Sequence, residues 1–267
     1  MRRTPAVAGT FYPGQSQALR SEVESLLDVQ ASPKSAFGAL VPHAGYVYSG
    51  AVAGQVFSRL EIPQTVIILN PNHTGAGEPF AVWPEGAWST PLGDVPVDAT
   101  LARKLIEGAL LLTPDTRAHI REHSGEVILP FLQVRRPDVS VVTIVVDLAP
   151  LADLQRLGNS MAKILASITP RPLIIASSDM THFQSEETAR RLDDLAIQPM
   201  LNLDEETLYN VVTSKRITMC GVAPATVAIA ALKALGATTG ELVKYDTSAT
   251  ASGDSSNVVG YAGIIFS

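Results

Sequence analysis

The sequence predicts an α/β fold, with a central mixed and mainly parallel sheet flanked by helices, in one domain spanning residues 1–267. Three observations predict it. Short apolar runs of strand length alternate with longer stretches of helical spacing. Several of those runs are apolar throughout and stop abruptly at Pro or His, as strands buried on both faces do. No repeat, charge block or long linker divides the chain.

The elements follow in order. Residues 15–28 place Leu19, Val23, Leu26 and Leu27 at helical spacing. Residues 36–41 and 65–69 read as buried parallel strands, with a helix over 49–60 between them and Ser49 as its N-cap. Residues 80–82 and 86–90 suggest a hairpin around Pro84-Glu85. A helix over 98–111 follows a Pro-rich turn. Another is expected over 124–134, where Pro130 either kinks it or marks its true start. Residues 140–146 (SVVTIVV) carry the strongest strand signal. An amphipathic helix over 151–167 leads to a strand over 172–176. A long helical stretch over 186–213 should break at Pro199, and 221–235 reads as a small-residue helix. Strands over 241–246 and 258–266, joined by a Ser/Gly/Ala-rich loop, close the chain. The strands at 36–41, 65–69, 140–146 and 172–176 should share one sheet with helices on both faces.

Composition narrows the function. A chain with 46% hydrophobic and 17% charged residues is globular rather than disordered. Its net charge of −6 disfavours nucleic acid or an anionic membrane as the main partner. The one cysteine cannot form an internal disulfide, which fits the cytoplasm. Two arginines open the chain, but no apolar core of a signal peptide follows them. The stretch 221–235 is too short to span a bilayer and carries Lys233.

Four short polar motifs hold most of the chemistry. They are Pro42-His43-Ala44-Gly45-Tyr46, Asn70-Pro71-Asn72-His73-Thr74-Gly75, Ser177-Ser178-Asp179-Met180-Thr181-His182-Phe183 and Met219-Cys220-Gly221. Each lies at the end of an apolar run or the start of a helical one, where α/β proteins gather side chains into one cleft. His43 and His73 each follow a strand and a proline, so in a parallel sheet they emerge on one edge. Either could equally be a turn histidine. Asp179 could hold the His182 tautomer or cap a following helix. Cys220 is either a buried structural cysteine or a thiolate favoured by a helix N-terminus. His123, in Arg121-Glu122-His123-Ser124-Gly125-Glu126, is a secondary candidate, and His119 reads as a surface residue. No P-loop, HExxH, GxSxG or dinucleotide fingerprint is present, so nucleotide-dependent chemistry is not supported.

In combination, TPAVAGTFYPG, VPHAGYVYSG, LNPNHTG, STPLGDVPVD, REHSGEVILPFLQ, SSDMTHF and MCG resemble the Memo family over nearly the whole chain. Its prokaryotic members are also called AmmeMemoRadiSam system protein B. The resemblance implies a fold related to the class III extradiol (protocatechuate 4,5-cleaving) dioxygenases, which are non-haem iron enzymes. It also implies a radical-SAM protein and a small protein as partners. It implies His43, His73 and Cys220 as metal ligands, with Cys220 where the dioxygenases have a glutamate, and His182 with Asp179 as the acid/base pair. Fe(II) is the implied ion. Copper or zinc is compatible with the softer thiolate. The expected activity is metal-dependent oxidoreduction of a small molecule or of dioxygen. Two alternatives stay open: a peptide- or protein-binding module with a vestigial metal site, and a metal-independent hydrolase with Cys220 as nucleophile and His182 as base.

Overall fold

Leu40, Ile67, Leu69, Val142, Ile144, Ile174 and Ala176 face one apolar core, while their chain neighbours Ala39, Val41, Val66, Ile68, Val141, Leu173 and Ile175 face another. A two-residue alternation inside wholly apolar runs is what a sheet covered on both sides requires. The computed structural model describes residues 1–267. Its first half runs β1 (Arg2–Arg3), α1 (Ser16–Leu26), β2 (Gly38–Val41), α2 (Tyr46–Arg59), β3 (Thr65–Asn70), β4 (Phe80–Val82), β5 (Ala87–Thr90), β6 (Gly93–Pro96), α3 (Ala99–Gly108), β7 (Thr113–Pro114) and α4 (Leu129–Arg135). Then come β8 (Ser140–Val146), α5 (Leu151–Leu165), β9 (Leu173–Ser177), β10 (His182–Gln184), α6 (Glu186–Leu201), α7 (Glu205–Lys215), α8 (Val222–Ala234), β11 (Gly240–Thr247), α9 (Ala249–Ser252) and β12 (Val258–Phe266).

The main sheet is ordered β10-β12-β2-β9-β3-β8-β4-β7, with β11 paired to β12. Its centre, β2-β9-β3-β8, is parallel throughout. The antiparallel β12 and β4 flank it. Helices α1, α2 and α4 cover one face, and α3, α5, α6, α7 and α8 the other. The four strands expected to share a sheet do share one, and the fold is the mixed, mostly parallel α/β architecture that the sequence predicts. No helix is long and apolar enough to cross a membrane. The order β2-β9-β3 matters most for chemistry. It sets the carboxyl ends of three motif-bearing strands side by side on one edge.

Some elements differ from the sequence reading. Residues 80–82 and 86–90 do not form a hairpin. Strand β4 pairs with β8, while β5 pairs with β6 in a separate sheet β1-β5-β6. Gly86, at φ 95°, turns the chain between them, and a Cβ there would lie 1.8 Å from the Met1 carbonyl oxygen. Helix α2 starts at Tyr46 with Gly45 as N-cap, so Ser49 lies inside it, donating to the Ala44 carbonyl. Pro130 marks the true start of α4. Pro199 does not break α6, which runs on to Leu201; Asp204 then caps α7 through the Thr207 N–H. A proline so near a helix end removes little, since the chain must leave the helix within a few residues anyway.

The small sheet carries the N-terminus inward. Arg3 is buried with its guanidinium 4.1 Å from the Trp88 ring centre. It donates to Glu126 Oε2 at 2.6 Å, the His119 carbonyl at 2.7 Å and the Glu122 carbonyl at 2.5 Å. His119 is fully buried, which corrects its reading as a surface residue. Two tryptophans distant in sequence cover it: Trp83 at 6.0 Å and Trp88 at 5.7 Å, both edge-on. Its Nε2–H donates to the Ala81 carbonyl at 3.1 Å, and Nδ1 has no partner.

Burial pushes the His119 pKa from 6.5 down to about 4. The folded state therefore favours the neutral ring. The stability this gives is complete above pH 6.5 and is lost as pH falls from there toward 4. That interval is worth about 3 kcal/mol for the one group. Urea unfolding at pH 7 and pH 4.5 should show a smaller acid loss in His119→Gln than in the wild type. Equal losses would assign the acid sensitivity to other groups.

Candidate metal centre

Pro42 ends β2 and puts His43 at the sheet edge; Pro71 does the same for His73 after β3. Strand β9 lies between them and delivers Asp179. A third imidazole, His123, comes from the loop before α4. The rings of His43 and His73 are 5.2 Å apart, those of His43 and His123 5.5 Å, and those of His73 and His123 4.7 Å in a stack. One ligand atom from each of these three histidines falls within 4.8 Å of the others, a grouping that could hold a metal ion. Cys220 lies outside that group, yet its Sγ is 3.3 Å from His43 Nε2. Two such atoms sharing one tetrahedral ion would stand about 3.6 Å apart.

Hydrogen bonds fix which ring nitrogens are free. Ser177 Oγ donates to the Ser124 carbonyl at 2.8 Å, so it must accept from His43 Nδ1 at 2.7 Å. Glu122, fully buried, accepts from His73 Nδ1 at 2.9 Å and from the His73 backbone N–H at 2.6 Å. The Thr218 carbonyl accepts from His182 Nδ1 at 2.8 Å. In all three rings Nδ1 carries a hydrogen, so in the neutral ring Nε2 is the nitrogen with the lone pair. A metal-binding histidine is held in this way, by an acceptor behind its distal nitrogen.

The electrostatics agree. Burial, then the neighbouring His123 and His73, hold His43 well below the ordinary imidazole range. Burial also lowers His123. Burial pulls on His73 too, but the Glu122 bond outweighs it and raises its pKa. Burial opposes the Glu122 charge, yet bonds from His73 and Ser124 bring its pKa down to about 2. Burial, then Asp179, pushes the Cys220 thiol well up. The thiol can donate to His43 Nε2 at 3.3 Å or to the Asp179 carbonyl at 3.6 Å, while its sulfur accepts from the Asp179 N–H at 3.3 Å. Gly221 allows this approach, since a Cβ there would meet Ser178 Cβ at 2.4 Å.

Asp179 does not hold the His182 tautomer and caps no helix. Its Oδ1 accepts the His43 N–H at 2.8 Å, and burial raises its pKa to about 6. The element after it is the short strand β10, where pairing with β12 slips between His182 and Gln184 and Phe183 takes φ 61°. Such a bulge re-aims a side chain. It sets His182 into the wall of a cavity of about 570 Å³ that also receives His43, His73, His123 and Asp179. Cys220 does not line that cavity.

The Memo family profile, described as Memo-like protein, matches residues 3–265. This chain belongs to the Memo family. A MEMO1 family protein of Aquifex aeolicus is 43% identical over 266 residues, covering 99% of this chain and 98% of that one. The MEMO1 family protein MK0963 of Methanopyrus kandleri is 39% identical over 280 residues, covering 100% and 99%. Among solved structures, uncharacterized protein JW3007 of Escherichia coli K12 matches with a TM-score of 0.56 at 15% identity. It covers 86% of this chain and 99% of that one, a likeness of fold.

The structure therefore brings His43, His73, Asp179 and His182 to one cavity and sets Cys220 behind His43. The sequence reading undervalued His123 and missed Glu122, Ser124 and Ser177 as the groups that orient the rings. The signal for His123, Glu122 and Ser124 was the density of polar residues in REHSGE, a stretch too short to be a solvated helix face. In metal-free protein, ¹⁵N ring shifts should report the Nδ1–H tautomer for His43, His73 and His182. Ser177→Ala should release His43 into a mixture and leave His182 unchanged. An Nε2–H form of His43 in the wild type would overturn the assignment.

Proposed function

We propose that this Memo protein is a transition-metal-dependent oxidoreductase acting on a small molecule, or on dioxygen, in the cavity above His43. The observation that carries the reading is the cluster of three imidazoles with a ligand atom of each within 4.8 Å of the others, two of them oriented through Nδ1 by Ser177 and Glu122. Neutral imidazoles suit iron, copper and zinc, and a site with few protein ligands leaves positions open. Fe(II) is the ion we favour, because open positions beside imidazole are what oxygen chemistry uses. A redox-active ion there would supply electron transfer to or from the bound substrate.

The chain's own groups have definite tasks. Glu122 and Ser177 orient the two imidazoles. Asp179 fixes the His43 backbone through its N–H. His182 keeps a free Nε2 on the cavity wall, where it can take a proton from a bound substrate. Its Nδ1–H stays on the Thr218 carbonyl, which keeps the ring oriented with Nε2 on the cavity side. The cysteine-hydrolase alternative finds no support here, since the Cys220 thiol meets His43 rather than His182 and its pKa is pushed up.

The third ligand has two readings. His123 completes the group within 4.8 Å, whereas Cys220 already touches His43 Nε2. Metal content after anaerobic purification separates them. His43→Ala and His73→Ala should each lower occupancy about tenfold or more. If His123 is the third ligand, His123→Ala does the same and Cys220→Ser keeps the metal; the Cys220 reading expects the reverse. His182→Ala should keep the metal and abolish turnover. Wild-type protein without metal, or a His43→Ala variant retaining it, would sink the proposal.

A further inference from the structure

We propose that the cavity takes a substrate bearing a protonated amine and turns away carboxylates and phosphates at its mouth. This rests on reading the cavity as the substrate site. The chain has 20 lysines and arginines, yet none is among the 17 residues lining the cavity. The carboxylates that line it are Asp179 at the buried floor and Asp254 at the exposed rim, and His73, whose charge Glu122 favours, lines it as well.

Asp254 is placed to receive a cation. Its Oδ1 accepts the Ser256 N–H at 2.8 Å and the Ser256 hydroxyl at 2.6 Å. Those bonds hold it below the usual carboxylate range, so it is ionised at neutral pH. Its Oδ2 makes no bond within the chain, leaving one oxygen for a ligand. Three aromatic rings, Phe11, Tyr48 and Tyr261, line the same space, and a ring face attracts an ammonium or guanidinium. A volume of about 570 Å³ admits a small molecule with its reacting end among the imidazoles and its amine at the rim. An anionic group at the rim would meet a carboxylate and no cation, against a net charge of −6. An ion on the imidazoles would attract anionic oxygens only at the floor, so the rim is where the discrimination lies.

Two probes of matched shape test this in metal-free protein: phenethylamine and 3-phenylpropionate, read by calorimetry and by chemical-shift changes at Tyr48 and Tyr261. The amine should bind about tenfold more tightly, as one exposed ion pair plus a cation–π contact would give. Asp254→Asn, at an exposed position, should remove most of that preference. Equal or tighter binding of the carboxylate, binding of neither probe, or a preference that survives Asp254→Asn would each overturn the proposal. Because the readout needs no metal, its failure is distinct from failure of the metal reading, which shows in the metal content of the wild type.

Discussion

Glu126 accepts four hydrogen bonds in the interior: from the Arg3 guanidinium, the backbone N–H groups of Ala6 and Val7, and the Tyr12 hydroxyl. Arg3 spends its other donors on the carbonyls of His119 and Glu122. The N-terminal segment and the loop at 119–126 therefore hold each other in place. Breaking such a pair by removing one partner strands a buried charge and costs about 3–5 kcal/mol. The loop so fixed is the one that supplies Glu122 to His73, the Ser124 carbonyl to Ser177 and thence His43, and His123 itself. A charge pair with no surface exposure thus sets the geometry of a site it never touches.

The sheet supplies the other half of the constraint. Three adjacent parallel strands end at one edge, and each ends in a short polar motif. The strands fix where His43, Asp179 and His73 leave the backbone; the loop fixes how the rings turn. Burial then keeps His43 neutral while Glu122 favours charge on His73, so neighbouring imidazoles differ in basicity. Strand position and ring orientation come from different parts of the chain, and only their meeting makes a site.

Much of this was legible in the sequence because it is written locally. An apolar run that stops at Pro and His announces a buried strand and its exposed end, which is why β2 and β3 and their histidines could be read together. Family motifs extended that reading to His182 and Cys220. What escaped was non-local. His119 reads as polar surface until Trp83 and Trp88 close over it, and nothing within a few residues signals them. The 80–90 region has the look of a hairpin, but its two strands find partners elsewhere in the chain. Glu122 and Ser177 look like loop and strand-end polar residues. Their value lies in bonds to His73 and His43, 49 and 134 positions away. Pro199 shows the opposite error, a local rule applied where the helix was about to end anyway.

The span between Arg3 and Glu126 is 123 residues, and that between His43 and Cys220 is 177. Contacts so far apart in sequence form late in folding, because their loops must close first. A chain made from its N-terminus exposes His43 and His73 well before Ser124, Ser177 and Cys220 exist. During that interval both imidazoles are unoriented and open to any passing cation. Any discrimination among cations by these rings can therefore belong only to the finished protein, because the nascent chain still lacks the groups that orient them.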